Sequence, residues 1–122
     1  MKFFKNLFKK KKYTKENKNK KLRNHTIYKL NKIKKKRFSK KTINETNLVF
    51  RIFLKKKFGI KPNLTNEEVI MEINGSKLKK KERDKINYII NTINEIEFGG
   101  KVQSKKINDN LTKNIKEIIT EL

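Results

Sequence analysis

Apolar residues in the second half of the chain recur at helical intervals. In "KERDKINYIINTINEIEFGG", Ile86, Ile89, Ile90, Ile93 and Ile96 share one face of a helix running from about Lys79 to Glu97; Leu78 precedes this stripe and Tyr88 lies off it. After the break "FGG" (Phe98 to Gly100) a further helix opens near Ser104, and Ile107, Leu111, Ile115, Ile118, Ile119 and Leu122 form its apolar stripe. Both stripes read as core faces rather than binding grooves. Upstream, Val49, Phe50, Ile52, Phe53 and Leu54 make a denser apolar block. β-Branched and aromatic residues are frequent there, so a strand through residues 48–54 competes with a helix. The length of Thr42 to Phe58, and the glycine that ends it, favour the helix. A thinner pattern of Ile27, Leu30 and Ile33, with Tyr28 beside it, predicts a helix over residues 25–37, followed by the solvated charge run "KKKR".

The breaks between these segments are sharply written. Gly59 suits the left-handed residue that stops a helix, and Ile60 then folds back on the last turn. Pro62 forbids continuation. Thr65 followed three places on by Glu68 is a capping box, and Glu67 and Glu68 sit at the positive end of the helix dipole. Val69, Ile70 and Ile73 then point to the core, and "NGS" (Asn74 to Ser76) is a turn. Thr42 with Glu45 offers a capping box for the preceding helix, with Ser39 as an alternative cap. These elements predict an all-α fold, a small bundle of four to five helices preceded by a flexible basic N-terminal leader.

The leader has two parts. In "MKFFKNLFKKKK", Phe3, Phe4, Leu7 and Phe8 keep the spacing of one helical face, and Lys9, Lys10, Lys11 and Lys12 follow. That is the pattern of an interfacial anchor, with aromatic groups entering the headgroup boundary and lysines meeting anionic lipid; a frayed terminus or a short helix docked on its own domain fits the same residues. Residues 13–24 carry only Tyr13 and Leu22 as apolar side chains and read as a flexible linker. The expected organisation is therefore a basic leader over residues 1–24 and a helical domain over 25–122, with its core at about 38–122.

Composition adds one feature and removes several. The 122 residues carry a net charge of +23. Lysine (31), asparagine (16) and isoleucine (16) dominate and alanine is missing, a bias that A/T-only codons would produce. The bias does not explain the distribution. Residues 1–61 hold 24 basic and 2 acidic residues, whereas residues 62–122 hold 11 and 10. Only the first half should respond to a polyanion, whether phosphate backbone or anionic lipid, and Lys34, Lys35, Lys36 and Arg37 extend the candidate set given by Lys9 to Lys12. With no cysteine and with His25 alone, thiolate and histidine metal sites and catalytic dyads have almost no material. His25 reads as a solvated residue. Glu67 with Glu68, and Glu82 with Asp84, are the tight acidic groups; the first caps a helix and the second lies among lysines. No cofactor, metal or small-molecule substrate is expected, and no enzymatic activity. No apolar run approaches the length needed to cross a bilayer, and no secretory signal is evident, so a cytoplasmic protein is expected.

Residues 47–98 carry a resemblance. "NLVFRIFLKKKFGI", "LTNEEVI" and "INEIEFGG" occur in the order found in the cytoplasmic C-terminal helical module of BatD-like aerotolerance proteins. The matching positions are Arg51, Phe53, Leu54, Phe58, Gly59, Ile60, Thr65, Glu68 and Phe98. The chain departs from the larger pattern in having neither the long extracytoplasmic β-rich region nor the transmembrane helix that precedes this module; "MKFFKNLFKKKK" would supply a weaker tether. The resemblance implies a non-enzymatic adaptor working beside MoxR-type ATPases and von Willebrand A-domain membrane proteins, and it brings no catalytic residue. The expectation is thus an interaction module with protein partners, peripheral on the inner face of the cytoplasmic membrane. The alternative is an RNA-associated, ribosomal-type basic protein whose Tyr13, Tyr28 and Phe38 stack on bases.

Overall fold

The computed structural model describes residues 2–99 and 104–122, with side chains described from residue 17 onward within those ranges. The described residues form five helices: α1 (Lys2–Lys34), α2 (Lys40–Phe58), α3 (Asn66–Asn74), α4 (Lys80–Glu97) and α5 (Lys105–Glu121). The described residues contain no strand, and the block from Val49 to Leu54 lies inside α2.

Short side chains that accept backbone N–H groups set most of the boundaries. Thr65 Oγ1 accepts from the Glu68 N–H at 3.2 Å, and Glu68 Oε1 accepts from the Thr65 N–H at 3.1 Å, so the capping box that opens α3 closes as the sequence predicts. Ser104 Oγ accepts from the Ile107 N–H at 3.2 Å to open α5. The start of α2 differs from the Thr42–Glu45 expectation. Ser39 is the cap, and its reciprocal partner is Thr42, whose Oγ1 accepts from the Ser39 N–H at 3.0 Å. Because the helix begins at Lys40, Glu45 lies a full turn too late to serve, and it pairs with Lys36 at 2.9 Å instead. Gly59 ends α2 at φ 74°, and its N–H donates to the Lys55 carbonyl at 2.8 Å.

The helices share one interior. α5 packs against α1, α2 and α4; α1 also packs on α2, and α3 on α4. Phe50, Phe53 and Leu54 of α2, Val69 and Ile73 of α3, the isoleucine stripe of α4 and the Leu111–Ile119 stripe of α5 are all buried in a single cluster. Ile70 is half-buried against it. Burial of these side chains, each contributing about 1.5–3 kcal/mol, is the main force holding the bundle. Buried Thr26, Thr46 and Thr92 satisfy their hydroxyls by donating to the carbonyl four residues back, at 2.7–2.9 Å.

The core reaches further toward the N-terminus than the pattern suggests. Residues 17–24 are helical rather than a linker, and Leu30, 1% exposed, and Ile33 belong to the interior. Leu22, Thr26 and Leu30 stand four residues apart, so α1 presents one packed face over two turns. No glycine or proline interrupts residues 1–58, and lysine, glutamate and arginine propagate a helix well once a packed end has nucleated it.

Candidate functional site

Two open grooves flank Leu48, which is 56% exposed on α2. The first, of about 760 Å³, lies where α2, the start of α3 and the end of α4 meet. Its floor is a hydrogen-bonded network centred on Arg51, which is only 7% exposed. Arg51 Nη1 donates to the Leu64 carbonyl at 3.0 Å and Nη2 donates to Asn66 Oδ1 at 2.5 Å. Asn66 Nδ2 in turn donates to Asn94 Oδ1 at 2.9 Å and to Glu97 Oε2 at 3.5 Å. Asn47 Nδ2 donates to the other Glu97 oxygen at 3.0 Å. Burial lowers the Arg51 pKa from its ordinary value, and the Glu97 carboxylate opposes that shift. The guanidinium remains a cation, and its planar fork reaches two separate acceptors from two different nitrogens, whereas an ammonium donates from a single atom. The network fixes the walls of the groove, and Phe98, 78% exposed at the end of α4, stands at its lip.

The second groove, of about 560 Å³, runs between α1 and α2. Ile33, Val49 and Leu48 form an apolar floor, and Lys29, Lys32, Lys35 and Lys36 form the rim. The Lys32 ammonium stands 5.3 Å from the centroid of the exposed Tyr28 ring, a cation–π contact that keeps it at the edge. Lys34, Lys35, Lys36 and Arg37 are exposed around the end of α1, close enough to α5 that the charge of Lys34 adds to burial in lowering the Lys116 pKa.

The predicted positions separate into three groups. Phe3, Phe4, Leu7, Phe8 and Lys9 to Lys12 lie outside the described side chains. Lys34 to Arg37 stay together on the surface, although Lys36 is paired with Glu45. Of the family-like motif, Arg51, Phe53, Leu54 and Ile60 are buried, Phe58 is half-buried, Gly59, Thr65 and Glu68 shape helix ends, and Phe98 is exposed. His25 is exposed, and the described residues contain no group of His, Cys, Asp and Glu side chains that could hold a metal. No helix among the described residues is long and apolar enough to cross a membrane. Sequence reasoning missed Asn47, Asn66 and Asn94. With 16 asparagines in the chain, residue type gives no signal; the available cue was a lone arginine inside an apolar block, which needs acceptors wherever it is buried. No family model, curated protein or solved structure matches this chain.

Proposed function

We propose that the chain is a non-enzymatic helical interaction module that holds a protein partner on the surface around Leu48 and Phe98. Its cationic half brings it to the inner face of the cytoplasmic membrane, in the setting that the BatD-like resemblance implies: beside a MoxR-type ATPase and von Willebrand A-domain proteins. The observation that carries this reading is the pairing of exposed large apolar side chains with pre-set walls. Leu48 and Phe98 stay in solvent on a groove whose floor is fixed by the Arg51 network. Apolar anchors beside fixed polar groups are what protein-docking surfaces use. The charge asymmetry supports the membrane part of the reading, since exposed lysines near an anionic leaflet each contribute roughly 1 kcal/mol.

A second reading, RNA association, is supported by exposed Lys34 to Arg37 beside exposed Tyr28. One experiment separates the two. The full chain and a Phe3→Ser, Phe4→Ser, Leu7→Ser, Phe8→Ser variant are titrated against anionic vesicles and against single-stranded RNA at two salt concentrations. Vesicle binding that drops in the variant while RNA binding does not supports the membrane reading. Equal vesicle affinities would leave only nonspecific charge and defeat it. RNA binding that outlasts vesicle binding at the higher salt would favour the second reading. Deleting residues 1–37 is not a usable control, because it removes buried Leu30 and Ile33.

A further inference from the structure

The surface of α3 mirrors the groove between α1 and α2. Twelve acidic residues are all that the chain contains, yet Glu67, Glu68 and Glu72 lie on this nine-residue helix, and all are exposed. Met71 stands among them at 73% exposure. At 100° per residue, Met71 points out between Glu67 on one side and Glu68 and Glu72 on the other, while Val69 and Ile73 face the core. The α1–α2 groove has the opposite character, with an apolar floor between lysines. Lys29 and Lys32 are one turn apart on α1, and Lys35 and Lys36 follow just past its end at Lys34, with Lys36 paired to Glu45, so the α1 side of the groove carries a cationic rim. The nine residues of α3 span about 13 Å.

We propose that the occupant of the α1–α2 groove is α3 of a second copy of this chain. Met71 enters the floor against Val49 and Leu48, and Glu67 and Glu72 meet the lysine rim. The contact is heterologous, because the groove and the acidic helix are different surfaces, so each copy of a pair keeps one of its two surfaces free and assembly proceeds head to tail. The shape of the site argues against the other occupants. A lipid surface is flat and takes protruding side chains rather than filling a concave floor. A phosphate backbone gains nothing from the apolar floor of Val49 and Leu48, whereas Met71 does. The small apolar area makes the contact weak. The net charge of +23 opposes it at low salt, so association should peak at intermediate ionic strength, where a Debye length of about 8 Å screens whole-molecule repulsion more than contact pairs. The inference is independent of the membrane reading.

The test uses the full chain in sedimentation velocity from micromolar to millimolar concentration at three salt concentrations. Two variants alter exposed side chains only: Lys32→Glu with Lys35→Glu disables the groove, and Met71→Ser with Glu72→Lys disables the helix. Circular dichroism confirms that each folds as the unaltered chain does. The expected result is concentration-dependent association of the unaltered chain, weakened at least tenfold in either variant. An equimolar mixture of the two variants should form a one-to-one heterodimer and nothing larger, since it contains one intact groove and one intact helix. A chain that stays monomeric throughout, or variants that associate as the unaltered chain does, would overturn the proposal. A mixture that remains monomeric would overturn the head-to-tail geometry and the proposal with it.

Discussion

Replacing Arg51 by methionine isolates what the buried guanidinium does. Methionine keeps the aliphatic stem packed in α2 and removes the two donors. The Leu64 carbonyl and Asn66 Oδ1 then lose the bonds they receive at 3.0 and 2.5 Å. Hydrogen bonds from a charged donor contribute roughly 1.5–3 kcal/mol each, and a buried acceptor left alone costs about 1–3 kcal/mol. An opposite effect accompanies this: methionine also removes a cation whose burial is the larger influence on its own pKa, and that desolvation is unfavourable in the parent. Glu97 is exposed and can be rehydrated, so its lost partner adds little. The balance is a destabilisation of about 1–3 kcal/mol. Arg51→Lys should lie between methionine and the parent, because an ammonium donates from a single nitrogen and cannot reproduce the fork that reaches Leu64 and Asn66 from two. Urea denaturation followed by circular dichroism at 222 nm measures both, with the denaturant slope unchanged if only stability alters. A methionine variant as stable as the parent would mean that burial of the charge outweighs its bonds, and the network would not be what holds the α2–α3 connection.

Leu30→Ala should cost about 2–5 kcal/mol in the same assay, because Leu30 is fully buried between helices; a loss below about 1 kcal/mol would remove α1 from the core. Gly59→Ala should cost about 1–2 kcal/mol, since its φ of 74° strains any L side chain, whereas Gly75→Ala at φ −84° should not show that penalty. Burial and the neighbouring Lys34 disfavour the charged form of Lys116, whose ammonium donates to Asn31 Oδ1. The sign follows from proton binding: with the folded pKa below the ordinary 10.5, the unfolded chain holds more protons just under that value, so stability rises with pH there. Thermal melts from pH 8 to 10.5 should show this slope flattened in Lys116→Gln, and an unchanged slope would refute the assignment.

The elements legible in the sequence were those written in local chemistry. The Thr65–Glu68 box, Gly59 and the α4 and α5 stripes need only neighbours within one turn, and all of them stand as the spacing predicts. The start of α2 was ambiguous because Ser39 and Thr42 both bear hydroxyls, and only the register of the first turn decides between them. The extent of α1 was hidden for a different reason. Residues 17–24 have no apolar periodicity of their own, and their helicity is propagated from Thr26, Leu30 and Ile33, which pack on α2 and α5. The surface grooves were not legible, since each joins residues of separate helices: Lys29 with Leu48, or Asn47 with Asn66 and Glu97.

The use of arginine ties these observations together. The chain has 31 lysines and 4 arginines, and two of those arginines, Arg51 and Arg83, hold the two ends of α3. Arg51 grips the Leu64 carbonyl just before α3, and Arg83 Nη1 donates to the Asn74 carbonyl at its other end, at 3.3 Å. Asn87 Nδ2 reinforces that end by donating to Asn74 Oδ1 at 2.8 Å. A nine-residue helix is too short to hold itself in water, where isolated helices below about 12–15 residues are marginal. Val69 and Ile73 bury only one side of α3, so these end contacts are what set its rotation and pitch on α4. That fixed orientation is also what the outer face needs if Glu67, Met71 and Glu72 are to meet another surface in register. Loosening either clasp should therefore weaken self-association before it unfolds the bundle. Arg83→Lys, which keeps the charge and loosens only the exit of α3, would show this as a rise in dissociation constant with the urea midpoint nearly unchanged.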